Sequence, residues 1–133
     1  MRWIAAVLLG LYCYVIGTLT LGSNAAVGRA FDVTDRFYPM SEGQANVALF
    51  IPAGFLLALV LLNPLVAVAL GVLGSSAIEW YQLHYLPWRV FDLHDVLHNG
   101  IGAAIGALLA VPFVLLLRWH RRARAQAPLA RTP

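Results

Sequence analysis

Four stretches without an Asp, Glu, Lys or Arg set the terms for this chain: about 3–22, 45–62, 64–78 and 96–117, the third running on through Glu79 to about 86. Each is near the ~20 residues that a helix rising ~1.5 Å per residue needs to cross a hydrocarbon core ~30 Å thick. The 133 residues are 61% hydrophobic and 11% charged, with a mean hydropathy of +0.76, so a water-soluble domain of this length could not hide the apolar surface. In lipid the backbone must satisfy its own polar groups, and no alternating apolar-polar pattern of a barrel is present. The expected fold is therefore all-α: an integral membrane four-helix bundle over 1–117, with helices at about 3–22, 45–62, 64–86 and 96–117. A basic tail, 118–133, follows.

Arginine placement sets the expected orientation, because short Arg- or Lys-rich flanks stay cytoplasmic. Arg2 precedes the first stretch and Arg118, Arg121, Arg122 and Arg124 follow the fourth, so both termini are expected inside. Asn63-Pro64 reads as a tight inner turn between the second and third helices. The outer loops are then the stretch near 23–44, with Arg29, Asp32, Asp35, Arg36 and Glu42, and the connection before the fourth helix. Arg2, the apolar run and Ser23-Asn24-Ala25 also fit a secretory signal. However, the run is near twenty residues against about 7–15 for a signal core, so a retained helix is expected. Cys13 is the lone cysteine, which excludes an intramolecular disulfide and a cysteine metal site. The tail reads as a flexible arm on anionic headgroups rather than a nucleic-acid contact. No P-loop or dinucleotide glycine pattern is present, and no cofactor is expected.

Charge is expensive near hydrocarbon, yet Glu79, Arg89, Asp92 and Asp95, the charged side chains between Gly43 and Leu117, crowd into one segment. Glu79 and Gln82 are three apart and share a side of the third helix. Counted from Pro64, Glu79 lies about 22 Å from the inner end at ~1.5 Å per residue, in the outer third of the membrane. Asp95, Asn99, Gly102 and Gly106 follow one face of the fourth helix at steps of four, three and four. Gly102 and Gly106 form GxxxG, which admits a close neighbour, and the third helix is the expected partner. That pairing would set Glu79 and Gln82 beside Asp95 and Asn99. Arg89 could hold the carboxylates ionised and still offer donors to a ligand phosphate or carboxylate. Asn46 is expected to turn its amide toward this group rather than cap its helix. Pro52 removes a backbone donor and Gly54 a side chain in the second helix, so either a kink that opens a cavity or a packing adjustment without function is expected there. Trp80, Tyr81, Tyr85 and Trp88 read as interfacial anchors.

Three motifs in order, Asn46-Val-Ala-Leu-Phe-Ile-Pro52-Ala-Gly54, Glu79-Trp-Tyr-Gln82, and Arg89-x-x-Asp92-x-x-Asp95-x-x-x-Asn99-x-x-Gly102-x-x-x-Gly106, resemble the VanZ-like membrane proteins. The resemblance covers about 46–106. It implies a four-helix, multi-pass protein of the cell membrane, and the founding member of the family is linked to low-level teicoplanin resistance. The expected role is an outward polar site, Asn46, Glu79, Gln82, Arg89, Asp92, Asp95 and Asn99, that binds or shields a lipid-linked envelope component or the glycopeptide itself. Arginine used without lysine points to a GC-rich bacterial genome.

Two other readings compete. His94-Asp95-Val96-Leu97-His98 is one methylene from the zinc motif HExxH, in which two histidines at i and i+4 bind metal and the carboxylate serves as general base. His84 would be the third ligand of such a peptidase. A hydrolase or transferase acting on a lipid-linked phosphate would instead use Arg89 on the anion and Asp92 or Asp95 as acid or base. The resemblance runs through Asp95 and Asn99 without asking for either histidine, so no metal is expected. A structural or accessory subunit, in which the polar group only pins helices, is the third reading. Oligomeric state is not legible.

Overall fold

The computed structural model describes residues 2–21, 41–86 and 91–126, and these are all-helical, with no strand. The helices are α1 (Arg2–Leu21), α2 (Glu42–Leu61), α3 (Pro64–Tyr85) and α4 (Leu93–Gln126). All four are long and apolar enough to cross a membrane. Their outward side chains suit lipid rather than water: Trp3 is 85% exposed and Leu108 71%. Cys13 also faces outward.

The helix ends follow from local chemistry. α2 begins at Glu42, ahead of the expected 45, because Ser41 and Gln44 form a reciprocal capping box. Gln44 N–H donates to Ser41 Oγ at 3.3 Å, and Ser41 N–H donates to Gln44 Oε1 at 3.0 Å. α3 begins where Asn63 Oδ1 accepts from Val66 N–H at 3.4 Å and Pro64 opens the first turn. Between α2 and α3 the chain reverses through Leu62, which takes the left-handed conformation (φ 54°, ψ 27°) and is buried. α4 runs well past the expected 117. Its 34 residues span about 51 Å at ~1.5 Å each, more than a ~30 Å core can hold. The stretch 118–126, expected as a flexible arm, is therefore a helical extension. Its alanines and arginines are strong helix formers, and Pro128 lies just beyond.

α4 packs chiefly on α2, and this overturns the expected pairing of the GxxxG face with α3. A Cβ added to Gly102 would run into the Val47 carbonyl and come within 2.9 Å of Phe50 Cβ. At Gly106 it would run into the Ile51 carbonyl and lie 2.7 Å from Phe55 N. Gly54 answers from α2, pressed against the backbone of Ala103. Small residues on both helices thus bring the backbones together, where contact area rather than water exclusion holds them. α3 offers a narrower stripe, Ala67, Gly71, Ser75, Glu79 and Gln82, all buried. Gly71 meets Ala103 on α4, where an added Cβ would be 2.6 Å from the alanine methyl. Ala58, Leu62, Ala67, Ala107, Ala110 and Val114 form the apolar core near the α2–α3 turn. α1 is the outermost helix, tied to α2 by Tyr12, whose hydroxyl donates to the Leu49 carbonyl at 2.7 Å.

The two ends of the bundle differ in charge. At the α2–α3 turn, Arg2 donates through Nε (3.0 Å) and Nη2 (2.7 Å) to the Val60 carbonyl. Arg118 Nη2 donates to the Leu62 carbonyl. These guanidiniums satisfy carbonyls that the end of α2 leaves open and complement its dipole. Glu42, Glu79, Asp92 and Asp95, the acidic side chains among the described residues, all lie toward the other end.

Candidate functional site

The polar end is built by three helices. α2 contributes Asn46, one turn inside its cap, and Asn46 Nδ2 donates to Asp95 Oδ1 at 2.7 Å. The cap itself belongs to Ser41, so the Asn46 amide is left for the cross-helix bond. α3 contributes Glu79, only 3% exposed, whose Oε2 accepts from the Asp92 backbone N–H at 3.0 Å. This bond fixes the chain entering α4 against the flank of α3. One turn deeper, Asn99 Nδ2 donates to Ser75 Oγ at 2.8 Å. The Asn99 Oδ1 is buried and has no hydrogen-bond partner among the described residues. Gln82, 4% exposed, turns the other way, and its Nε2 donates to the Thr20 carbonyl on α1 at 2.8 Å. Arg89, with Trp88 and the loop charges Arg29, Asp32, Asp35 and Arg36, lies outside the described residues.

Asp92 acts first as a helix cap. Its Oδ1 accepts from His94 N–H at 2.7 Å, two residues into α4, and from His94 Nδ1 at 3.0 Å. The backbone donation, then the imidazole contact, hold the Asp92 carboxyl below its ordinary value, although the side chain is open to solvent. His98 Nδ1 meets the His94 carbonyl at 2.7 Å, which turns its Nε2 toward Gly43 at the start of α2. An added Cβ at Gly43 would sit 2.7 Å from that nitrogen. Ser41, Gln44, Val47 and His98 border a shallow cavity of about 260 Å³ at this corner. His84 is engaged elsewhere, with Nδ1 at 2.8 Å from the Trp80 carbonyl and its ring 4.5 Å from that of Trp80. Among the described residues no group of three or more His, Cys, Asp or Glu side chains gathers to hold a metal ion, so His84 does not complete a set with His94 and His98.

The arrangement is a set of amides, carboxylates and hydroxyls between α2, α3 and α4, with an exposed carboxylate and imidazole at its rim. Chemically it offers carboxylate and carbonyl acceptors and amide, hydroxyl and imidazole donors. Of the packing residues, Gly54, Gly102 and Gly106 are points of backbone contact. Pro52 lies in mid-α2, where it withholds an N–H from the Ala48 carbonyl.

The sequence model of the VanZ/LLP1 family matches residues 20–118. The chain belongs to the VanZ/LLP1 family. This VanZ-like protein has no significant match among curated proteins or among solved structures. The matched span runs from the end of α1 through Arg118 and holds every residue of the polar end described above.

Three partners escaped the reading of the sequence. Ser75 lies four residues before Glu79 on the stripe Gly71-Ser75-Glu79, so its place facing α4 was legible from spacing. Ser41-Glu42-Gly43-Gln44 carries the S-x-x-Q signature of the capping box. The Thr20 carbonyl, which receives Gln82, had no sequence signal, because a backbone acceptor at a helix end is blind to residue type.

Proposed function

We propose that this VanZ-like multi-pass protein lies in the cell membrane with its polar end outward, where it binds or shields an envelope component and modestly lowers susceptibility to teicoplanin. The observation that carries this reading is the burial of Glu79, Gln82 and Asn99 at one end, with Asn99 Oδ1 left without a partner among the described residues. A clasp that only pins helices would be expected to close its own hydrogen bonds, since an unmet buried acceptor costs about 1–3 kcal/mol. An acceptor beside Ser75, Glu79 and Asp95 suits a ligand rich in hydroxyl or amide N–H groups, such as a lipid-linked wall precursor. The outward direction is supported by the arginines at the opposite end.

The test is expression of wild type and Asp95→Asn in a teicoplanin-sensitive Gram-positive host, with susceptibility scored against membrane abundance. Lower susceptibility with wild type, lost in Asp95→Asn at equal abundance, is the expected result. Equal susceptibility with and without the wild-type protein overturns the resistance reading. Orientation is read separately by labelling Phe91→Cys in a Cys13→Ser background with a membrane-impermeant maleimide. Labelling from the cytosolic side alone would invert the topology.

A further inference from the structure

The arginine end carries an apolar cleft that the polar end does not explain. Among the described residues the backbones of α1 and α4 nowhere pack on each other; both lean on α2. The space between them is a slot of about 330 Å³. Phe55 and Leu59 of α2 form its floor, Leu8 lines it from α1 and Leu116 from α4, and Arg2 and His120 stand at its mouth. From Phe113 to His120 the α4 wall rises about 10 Å at ~1.5 Å per residue, roughly two-thirds of one leaflet of a ~30 Å core. The walls offer nothing for water to bond, so the slot suits hydrocarbon.

The mouth decides which hydrocarbon. Two bonds to the Val60 carbonyl hold the Arg2 guanidinium at one spot, leaving three of its five N–H donors. Arg118, Arg121, Arg122 and Arg124 on α4 add positive charge at the same end, and every acidic side chain among the described residues lies toward the other end of the bundle. Countercharge here must come from outside the described chain. A pinned guanidinium at the top of an apolar slot matches a phosphate attached to an acyl chain. We propose that this cleft is a binding site for one anionic phospholipid of the leaflet at the arginine end, its acyl chain lying between α1 and α4 and its phosphate held by Arg2 and His120. Such a site is distinct from the polar end, and its test does not depend on any effect on susceptibility.

The test is native mass spectrometry of the full chain in detergent, titrated with phosphatidylglycerol or with phosphatidylcholine of the same acyl chains. One phosphatidylglycerol is expected to stay bound in preference to phosphatidylcholine by about fivefold or more, the worth of one basic side chain near the phosphate. Arg2→Gln is expected to remove about that fivefold. Leu8→Trp and Leu116→Trp, both at partly exposed positions, fill the slot and are expected to lower retention of both lipids while helical circular dichroism stays at the wild-type level. Equal retention of the two lipids by wild type overturns the proposal. So does retention unaffected by both tryptophan variants, or a preference that vanishes in Arg121→Gln/Arg122→Gln but persists in Arg2→Gln, which would mark adsorption to the α4 extension. Should Arg2→Gln lose helix content, the tryptophan pair decides.

Discussion

Replacing Gly106 by alanine tests whether the α2–α4 seam governs the polar end. The new Cβ would lie 2.7 Å from Phe55 N, and ordinary contact begins near 3.4 Å, so the two helices must part by at least 3.4 − 2.7 = 0.7 Å. The obstructing atoms are backbone, including the Ile51 carbonyl, and cannot rotate aside. The same displacement carried to the polar end stretches the Asn46–Asp95 bond from 2.7 Å to about 3.4 Å, beyond the ~3.2 Å limit of a good hydrogen bond. Overpacking costs about 1–3 kcal/mol and the weakened bond about 1 more, while alanine returns about 1 through helix propensity. The net loss is about 1–3 kcal/mol, or roughly five- to two-hundred-fold in the folding equilibrium. Gly74→Ala is the internal control, because nothing lies within 4 Å of its added Cβ. It is expected to be neutral or to gain up to about 1 kcal/mol. The assay is unfolding of the detergent-solubilised full chain by increasing dodecyl sulfate, followed by tryptophan fluorescence. Gly106→Ala unfolding at the wild-type midpoint, or tracking Gly74→Ala, refutes the seam.

Asn46→Ala and Asp95→Ala, measured singly and together in the same unfolding assay, should couple by about 0.6–1.7 kcal/mol, the range of cross-helix polar pairs in membranes; simple additivity would mean that the bond adds nothing to stability. The Asp92 carboxyl is held low by the folded first turn of α4, so its capping is present above the ordinary carboxylate range and lost as pH falls through its depressed folded value. Amide exchange at His94, corrected for the intrinsic pH dependence, should therefore quicken below that range in wild type and show no such step in Asp92→Asn. An identical profile in the two proteins would remove Asp92 as the cap.

The helices were legible because length without charge is a constraint that lipid leaves no way around, and Arg2 and Asn63-Pro64 mark three of their ends. The polar face was legible in part. Asp95 and Asn99 four apart, and Glu79 and Gln82 three apart, fix which side of each helix is polar. Spacing alone, however, does not say which neighbour that side meets. Gly102-x-x-x-Gly106 declares a close approach, but Gly54 on α2 and Gly71 on α3 both offer small surfaces, and the larger α2 seam took it. Gln82 shows the same limit, since its share of the α3 face looks toward α4 on paper and reaches α1 in space. The extension of α4 to Gln126 was missed because hydropathy ends at Leu117, whereas helix propensity does not.

The α2–α3 hairpin cannot finish its own loop. The Val60 and Leu62 carbonyls are met by guanidiniums 58 residues earlier and 56 residues later in the chain. During synthesis Arg2 is already present to meet Val60, but the Leu62 carbonyl must face water or lipid headgroups until α4 has been translated through Arg118. Tertiary closure of this family member is an event of late translation, and a chain stopped before Arg118 should present quality-control proteases with an open hairpin rather than a shorter bundle.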